Sequence, residues 1–414
     1  MDWRLALIPN SVQPRNFQFN DRISSAMRDN WVETTLGNVA EVNPKEKALA
    51  TSAPFAPMDA VNVGKRYVTY FEPRGDRGGA RANDRDVLFA RIAPCLENGK
   101  VAQVPQGTGP CGGSTEFIVL RGTAEASSDF LYFWATWSAT RSRATDLMTG
   151  TTGRQRLSWT DLSGMKIQLP PAREQKWIVD LVSAVDEYIA ALQRQADAAR
   201  TARNAVLHEL LTAGGDDWVE TTIGDISDFV STRHLPAGLG REIPYVGLEH
   251  IESRSPRIRD WGTIESVTSH VTPFEPEDVL FGRLRPYLHK VAFAEFPGVC
   301  SPEVLVLRAT QSCSATFLYL ICSIDSTVKA CVEMSAGTRM PRTSTSDLAS
   351  ISLWLPPLHE QNRIVAVVSS ADDLIHATES AIVESKNLRS GLLSDLLSGE
   401  HEIPASYDRL LGAA

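Results

Sequence analysis

The stretch "WVETTLGNVAEV", Trp31 to Val42, is written again as "WVETTIGDISDF", Trp218 to Phe229, 187 residues further on. Working outward, "STEFIVLR" at Ser114 answers "SPEVLVLR" at Ser301, and "FLYFWATWS" at Phe130 answers "FLYLICSID" at Phe317, both at the same offset. "MTGTTGRQRLSWTDL" at Met148 pairs with "MSAGTRMPRTSTSDL" at Met334, and "LPPAREQKWIV" at Leu169 with "LPPLHEQNRIV" at Leu355, both at offset 186. Five blocks in one order at nearly one spacing identify a tandem duplication, and a repeat of this kind decides the architecture.

Each copy reads as a mixed globular segment of about 140 residues followed by a long helix. "DVLFARIAPCL" at Asp86 and "DVLFGRLRPYL" at Asp278 read as short strands closed by Pro94 and Pro286, because proline cannot donate to a ladder. "DFLYFWATWSATRSRATDLM" at Asp129 reads as one helix, and the Gly, Pro, Arg and Asp-rich "YFEPRGDRGGARANDRD" at Tyr70 as loop. From Glu174 to Ala213 there is no Gly or Pro, and the run stops at Gly214-Gly215, so one helix of ~60 Å is expected. Its apolar stripe is placed at Ile178, Leu181, Val185, Tyr188, Leu192, Ala199, Ala202 and Val206, and in the second copy at Ile364, Val367, Ala371, Leu374, Thr378, Ala381, Leu388 and Leu392. Two such stripes in one chain can cover each other.

The expected fold class is therefore α+β: two mixed α/β globular domains joined by two long helices that form an antiparallel coiled coil, with a pseudo-two-fold internal repeat. The expected boundaries are an N-terminal extension at 1–30, a first globular domain at 31–170, a first long helix at 171–215, a second globular domain at 216–356, a second long helix at 357–400 and a tail at 401–414.

The chain has 414 residues, of which 43% are hydrophobic and 22% charged, a globular composition. No stretch approaches the ~20 apolar residues of a membrane span, and a cytoplasmic protein without a membrane partner is expected. Six cysteines (95, 111, 300, 313, 322 and 331) form no C-x-x-C pair, which argues against a metal site and for buried free thiols. No glycine-rich nucleotide loop of either common type follows a strand, so nucleotide chemistry is not expected in this chain. The net charge of -9 opposes phosphate binding at first sight. Its distribution softens the objection: residues 31–168 hold 16 basic against 14 acidic side chains, whereas residues 355–414 hold 4 against 9.

At "LPPAREQKWIV" and "LPPLHEQNRIV", each following a Gly-Thr-Arg segment and opening a long helix, the chain resembles the specificity subunit of type I restriction-modification systems. The resemblance covers residues 31 to 400. It implies a DNA-binding protein of phage defence in which two target-recognition domains each read half of a bipartite, asymmetric site in double-stranded DNA. It further implies that the paired helices set the gap between the halves and dock two modification (adenine methyltransferase) subunits. A restriction subunit carrying nuclease and translocase activity is a further partner it allows. On the same resemblance the chain is not an enzyme and binds no cofactor, S-adenosylmethionine belonging to the methyltransferase.

"LPPA" and "LPPL" depart from the Asn/Asp-Pro-Pro-aromatic motif of adenine methyltransferases, since Leu169 and Leu355 cannot accept from an amino group and Ala172 and Leu358 cannot stack on a flipped base. They read as strand-to-helix junctions. Trp31 and Trp218 read as packing anchors.

Arginines on loops and strand ends are the candidate DNA contacts: Arg74, Arg77, Arg81 and Arg91 in the first copy, and Arg257, Arg259, Arg283, Arg285 and Lys290 in the second. Arg85 and Arg254 lie in the same loops, and Arg283 takes the place of Arg91. Strand alternation places Val87, Phe89 and Arg91 on one face. Arg154 and Arg156 in "GTTGRQR", and Arg339 and Arg342 in "GTRMPR", make a candidate phosphate grip in each half. The alternative for each arginine is an ion pair with a neighbouring carboxylate, and for the two grips a seat of the domain on its helix. Two rival functions are a helical adaptor that joins two proteins without DNA, and a self-contained methyltransferase or nuclease.

Overall fold

The computed structural model describes residues 30–151, 153–335 and 340–400. The chain falls into two compact units, Met1–Ala190 with Val383–Ala414, and Ala191–Ile382. The expected extension, apart from residue 30, and the expected tail lie outside the described residues.

In the first unit the repeated phrase opens with strand Val32–Thr35, which pairs antiparallel with Lys166–Leu169, the strand just before the Pro-Pro junction. A four-residue helix, Leu36–Val39, then turns the chain into the main sheet. Gly37 packs closely on the Ser163 side chain there, since a Cβ would lie 2.1 Å from Ser163 Oγ unless that hydroxyl rotated away. The main sheet orders Ala40–Val42, Phe117–Gly122, Val87–Ala90 and Val101–Gln103, all antiparallel. A second sheet orders Glu72–Pro73, Pro54–Ala56, Cys111–Gly113 and Ala80–Ala82, its central pair parallel.

Strand Val87–Ala90 is buried on both faces. Val87 and Phe89 meet helix Ser128–Thr136 in one core cluster, while Leu88 and Ala90 meet Ala56, Ala82 and Cys111 in another. A strand covered on both sides needs no alternation, which is why "DVLFA" is a continuous apolar run. The run is clipped at its start by Asp86, 1% exposed, whose two oxygens accept from Arg121 at 2.9 and 2.6 Å.

The second unit repeats this plan within itself. Val219–Thr222 pairs with Ser352–Leu355. The main sheet orders Ser227–Phe229, Val304–Ala309, Val279–Gly282 and Val291–Phe293, and a second sheet orders Gly262–Thr263, Pro244–Val246, Gly298–Cys300 and Thr272–Phe274. Asp278 accepts from Arg308 through both oxygens at 2.8 Å, matching the Asp86 clip.

Several local expectations are corrected. The strands end at Ala90 and Gly282, four residues before Pro94 and Pro286, and Pro286 opens a 3-10 turn. Arg91 is the first residue past its strand, and its backbone N–H still donates to Glu116 O at 2.9 Å, in the register of the strand pair. The segment from Asp129 is two helices, Ser128–Thr136 and Ser138–Asp146, broken where Trp137 is extended (ψ 134°). The break separates a buried apolar helix from a mostly polar one. The presumed loop at Tyr70 contains strands Glu72–Pro73 and Ala80–Ala82.

The two long helices are Ala172–Thr212 and Leu358–Ser398, 41 residues each. Within the first unit, Ile178 and Val182 from the start of one pack with Leu393, Leu396 and Leu397 from the end of the other. Within the second, Ile364 and Val368 pack with Leu207, flanked by Leu210 and Leu211. In both units the helices therefore run antiparallel. Asp186 accepts from Arg389 at 2.5 and 3.1 Å in the first unit, and Asp372 from Arg203 at 3.0 and 3.1 Å in the second. These four residues are equivalent under the repeat offset of 186.

The apolar stripe needs one correction. Its seven-residue period holds, but three of the outward positions are Tyr188, Leu374 and Leu388, which are 56%, 51% and 67% exposed. Ile178, Ile364 and Thr378 of the expected stripe are buried, but elsewhere the buried row lies one residue further on, at Val182, Ile189 and Ala196, and at Val368 in the second helix. Positions i+3 and i+4 differ by only ~100° around a helix. The row that faces inward continues to Arg203 and Arg389, whose charges disguise it as a polar row in sequence.

Five of the six cysteines are buried free thiols and Cys95 is half-buried. Burial pushes the thiols of Cys111 and Cys300 up to about 12. Among the described residues no single helix is long and apolar enough to cross a membrane. One bent pair, Ala315–Ser323 with Asp325–Met334, passes by length and composition, and Phe317, Leu318, Leu320 and Ile321 of that pair lie in the second unit's core.

Candidate nucleic-acid interface

The repeated junction explains itself first. Trp31 donates its indole N–H to Glu174 Oε2 at 2.9 Å, and Trp218 donates to Glu360 Oε2 at 2.9 Å. Gln175, 2% exposed, donates to the carbonyls of Glu125 and Pro170 at 2.7 and 3.0 Å and accepts from Ser127 N at 3.2 Å. Gln361 makes the same three bonds with Ser312 O, Pro356 O and Ser314 N. Glu-Gln thus ties each helix start to the strand phrase and to the N-cap serine of the sheet-covering helix. A buried amide with its donors and acceptor satisfied is a scaffold element.

What this scaffold presents at the ends of its central strands is a constellation built twice. In the first unit Arg91 leaves strand Val87–Ala90, and its N–H donates to Glu116 O at 2.9 Å. The Met148 block returns alongside, with Thr149 and Arg156 exchanging backbone bonds at 3.1 and 2.9 Å and Leu157 N donating to Arg91 O at 2.8 Å. Gly150 (φ +125°) and Gly153 (φ +76°) make that hairpin, and a Cβ on Gly150 would sit 3.2 Å from Arg154 O. Arg156 then clamps Glu116, with Nε at 3.1 and 3.0 Å from the two oxygens and Nη2 at 2.8 Å from Oε1. That hydrogen bond raises the Arg156 pKa. Arg91 Nε is buried with no hydrogen-bond partner.

In the second unit Arg283 N donates to Glu303 O at 2.9 Å, Thr343 N to Arg283 O at 2.8 Å, and Arg342 Nη2 to Glu303 Oε1 at 2.5 Å. Glu303 Oε2 is buried and unpartnered. Burial, followed by the nearby Arg342 cation, lowers the Arg283 pKa. Each constellation has one guanidinium on a carboxylate, Arg156 on Glu116 and Arg342 on Glu303, and a second arginine, Arg91 or Arg283, bonded through its backbone N–H to the same glutamate's carbonyl. The net positive charge sits at a strand end with donors left over, which suits a phosphate oxygen.

The remaining sequence candidates are dispersed. Arg74 donates to Leu49 O at 3.2 Å. Arg77 pairs with Glu72 at 2.6 Å and covers the Phe55 ring at 4.2 Å, a scaffold role. Arg81 is exposed and donates to Glu46 O at 2.9 Å. Arg154 and Arg285 are exposed beside the constellations. Lys290 donates to Leu248 O at 2.5 Å, as Lys100 does to Met58 O at 3.0 Å, so this lysine pins a turn in both units. Arg257 is exposed and Arg259 lies 4.0 Å from Glu252. Both border a cleft of about 950 Å³ with Arg254, Arg200 and Arg203. Arg339 lies outside the described residues.

Sequence alone does not single out Glu116 and Glu303, although both stand third in the repeated "STEFIVLR" and "SPEVLVLR" blocks, which was the available signal. Nor does it single out Arg66, which reaches Asp129 at 2.6 Å and Ser183 Oγ at 3.1 Å and rests against the Phe133 ring at 5.3 Å. Arg85 also pairs with Asp129.

A family model described as "Type I restriction modification DNA specificity domain" matches residues 28–199 and again 215–385. The type I restriction enzyme EcoDI specificity subunit of Escherichia coli is 26% identical over 191 residues, 45% of this chain and 42% of that protein. The MjaVIII specificity subunit of Methanocaldococcus jannaschii is 21% identical over 271 residues, 57% of this chain and 62% of its own length. The matches thus span less than two thirds of either relative. Among solved structures, a chain from work on complex assembly and conformational transition of the type I R-M system aligns with TM-score 0.58 and 21% identity, covering 91% of this chain and 100% of that one. The type I restriction-modification S subunit from M. genitalium aligns with TM-score 0.53 and 16% identity, covering 94% and 99%. These structures share the fold.

Proposed function

Because the chain belongs to the family of type I restriction modification DNA specificity domains and carries two of them, we propose that it is the recognition subunit of a type I restriction-modification complex. It reads a bipartite site in double-stranded DNA and leaves methylation and cleavage to its partners. Those partners are two adenine methyltransferase subunits, which bring S-adenosylmethionine, and a restriction subunit where one is present. Its place of action is the cytoplasm.

The observation that carries this reading is the contrast between what the two units share and what they do not. They share the Trp–Glu bond, the buried Gln, and the Arg-Glu-Arg constellation. They differ in the exposed arginines of their loops: Arg154 beside the constellation and Arg81 further off in one unit, Arg285 beside the constellation and Arg257 further off in the other. Identical groups on unlike half-sites suit the sequence-independent backbone, and unlike groups suit bases. Arg91, Arg156, Arg283 and Arg342 accordingly hold phosphates, while Arg81, Arg154 and Arg285 reach base edges. Arg74 and Arg259 are secondary contacts, and Arg339 is retained on its sequence position alone. The outward apolar residues Tyr188, Leu388, Val367 and Leu374 supply docking surface for the methyltransferase subunits.

The test is to express the chain with a type I methyltransferase partner and map modified adenines across the host genome. A two-part motif with a fixed gap is expected. Methylation without sequence preference, or none that depends on this chain, would refute the assignment.

A further inference from the structure

One loop of the second unit is built differently from its counterpart in the first. Between Arg283 and Lys290 the chain makes a 3-10 turn, Pro286–Leu288, bracketed by two non-glycine residues in the left-handed region, Arg285 (φ 54°, ψ 62°) and His289 (φ 49°, ψ 46°). A third, Arg254 (φ 59°), lies against it. Such residues persist only where their surroundings over-determine them, and they gather at functional sites.

The surroundings here are explicit. Arg285 N donates to Pro341 O at 2.8 Å, Leu288 N to Arg285 O at 2.9 Å, His289 N to Pro286 O at 2.9 Å, and Arg254 N to His289 O at 2.9 Å. The Arg254 guanidinium lies 3.0 Å from His289 Nε2 and 3.0 Å from Asp325. Pro286 is buried under the turn. What this fixed turn displays is apolar: Tyr287 is 50% exposed and Leu288 37% exposed. It follows exposed Arg285 directly in the chain, and the Arg285 backbone is bonded to Pro341, the residue before Arg342 of the Arg283-Glu303-Arg342 constellation. In the first unit the corresponding loop runs from Arg91 to Lys100, exposes Pro94, Glu97 and Asn98, and buries its own leucine, Leu96, at 2%.

We propose that Tyr287, backed by Leu288, is a nucleobase contact: its ring packs against a base of the half-site read by the second unit, while Arg283 and Arg342 hold the flanking phosphates. This rests on the DNA-recognition reading above and names a residue and a chemistry within it. An aromatic ring beside guanidinium groups is matched to a base face next to a phosphodiester and poorly matched to an acidic or apolar protein surface. The rigid turn adds to the case, because a ring already ordered loses little entropy on contact. The turn belongs to one unit only, as expected of a group that reads sequence.

The experiment uses the assembled methyltransferase complex carrying wild-type chain, Tyr287→Ala or Tyr287→Phe. Adenine methylation is mapped genome-wide and its rate is measured on a duplex bearing the wild-type motif. Tyr287→Ala should slow methylation of that duplex about tenfold or more, by the usual worth of one ring–base contact. It should also make one or two adjacent positions of a single half degenerate, whereas Tyr287→Phe should match wild type. An alanine variant with wild-type map and rate, equal relaxation of both halves, or a phenylalanine variant as impaired as alanine would each overturn the proposal. An unchanged thermal midpoint of the complex separates loss of contact from loss of fold. If the wild-type complex itself gives no bipartite map, the recognition reading fails, and that outcome is distinct from a wild-type map that Tyr287→Ala leaves intact.

Discussion

Trp218 donates its indole N–H to Glu360 across 142 residues of sequence at 2.9 Å, binding the first strand of the second unit to the first turn of its long helix. The acceptor is charged and the indole is 7% exposed, so its loss costs more than that of an average hydrogen bond, about 1.5–3 kcal/mol. Trp218→Phe should lower the urea midpoint of the transition that reports the second unit by that equivalent. Glu360→Gln, which keeps an acceptor, should fall between. A phenylalanine variant that unfolds at the wild-type urea concentration would show the bond to be incidental.

The seam of the helices makes a sharper test, because two neighbouring positions give opposite expectations. Val182 is fully buried among Ile178, Leu393 and Leu396, whereas Tyr188 on the outward row is 56% exposed. Val182→Ala should destabilise the chain by about 1–3 kcal/mol through lost burial and the cavity left behind. Tyr188→Ala should change stability by less than about 0.5 kcal/mol and weaken capture of the methyltransferase instead. Equal destabilisation by the two substitutions in chemical denaturation would restore the stripe as first drawn from the sequence.

The duplication, the long helices and the strand phrases were legible because each is written in local pattern: a repeated block, a helix run without Gly or Pro, and a strand next to a junction. The i+3 against i+4 choice was not, since Arg203 and Arg389 occupy the inward row and only their partners Asp372 and Asp186, well over a hundred residues away, make them interior residues. The second sheet in each unit was illegible for a related reason. Its strands are two or three residues long, too short to show a period, and include Gly112 and Gly113, which read as loop. The candidate arginines could be named from sequence only as a class. Their sorting depended on carboxylates distant in sequence: Arg156 is held by Glu116 and Arg342 by Glu303, while Arg154 two residues from Arg156 is left exposed.

Acid should act on the second unit through two helix starts. Asp347 has its pKa lowered by the Ser344 side chain and then by the Ser344 backbone N–H, and Asp225 likewise by the Thr222 side chain and backbone. A carboxyl whose folded pKa is depressed contributes stability above its unfolded value, about 3.9, and loses it as pH falls through the folded value. The gap in thermal midpoint between wild type and Asp347→Ala should therefore be constant from neutrality down to about pH 5 and shrink below about pH 4. A gap that widens in acid would contradict the capping boxes as the source.

The duplicated constellations predict a signature in salt. If Arg156 and Arg342 each neutralise a phosphate, removing one releases one fewer counterion on binding, and the slope of log affinity against log salt on duplex DNA should fall by about 0.9 in magnitude. Arg156→Ala and Arg342→Ala complexes should each show that loss, together with weaker binding to every sequence and an unchanged methylation motif. Both arginines are held by a carboxylate, Glu116 or Glu303, so each is already oriented before DNA arrives and a lysine cannot reproduce the side-on bond seen at Glu116. Arg342→Lys should accordingly keep most of the salt slope, which follows charge, while losing affinity, which follows geometry. Titrations of the assembled complex at several salt concentrations separate the two. A motif that changes in one half on Arg342→Ala, with the salt slope intact, would move that arginine from the phosphates to the bases.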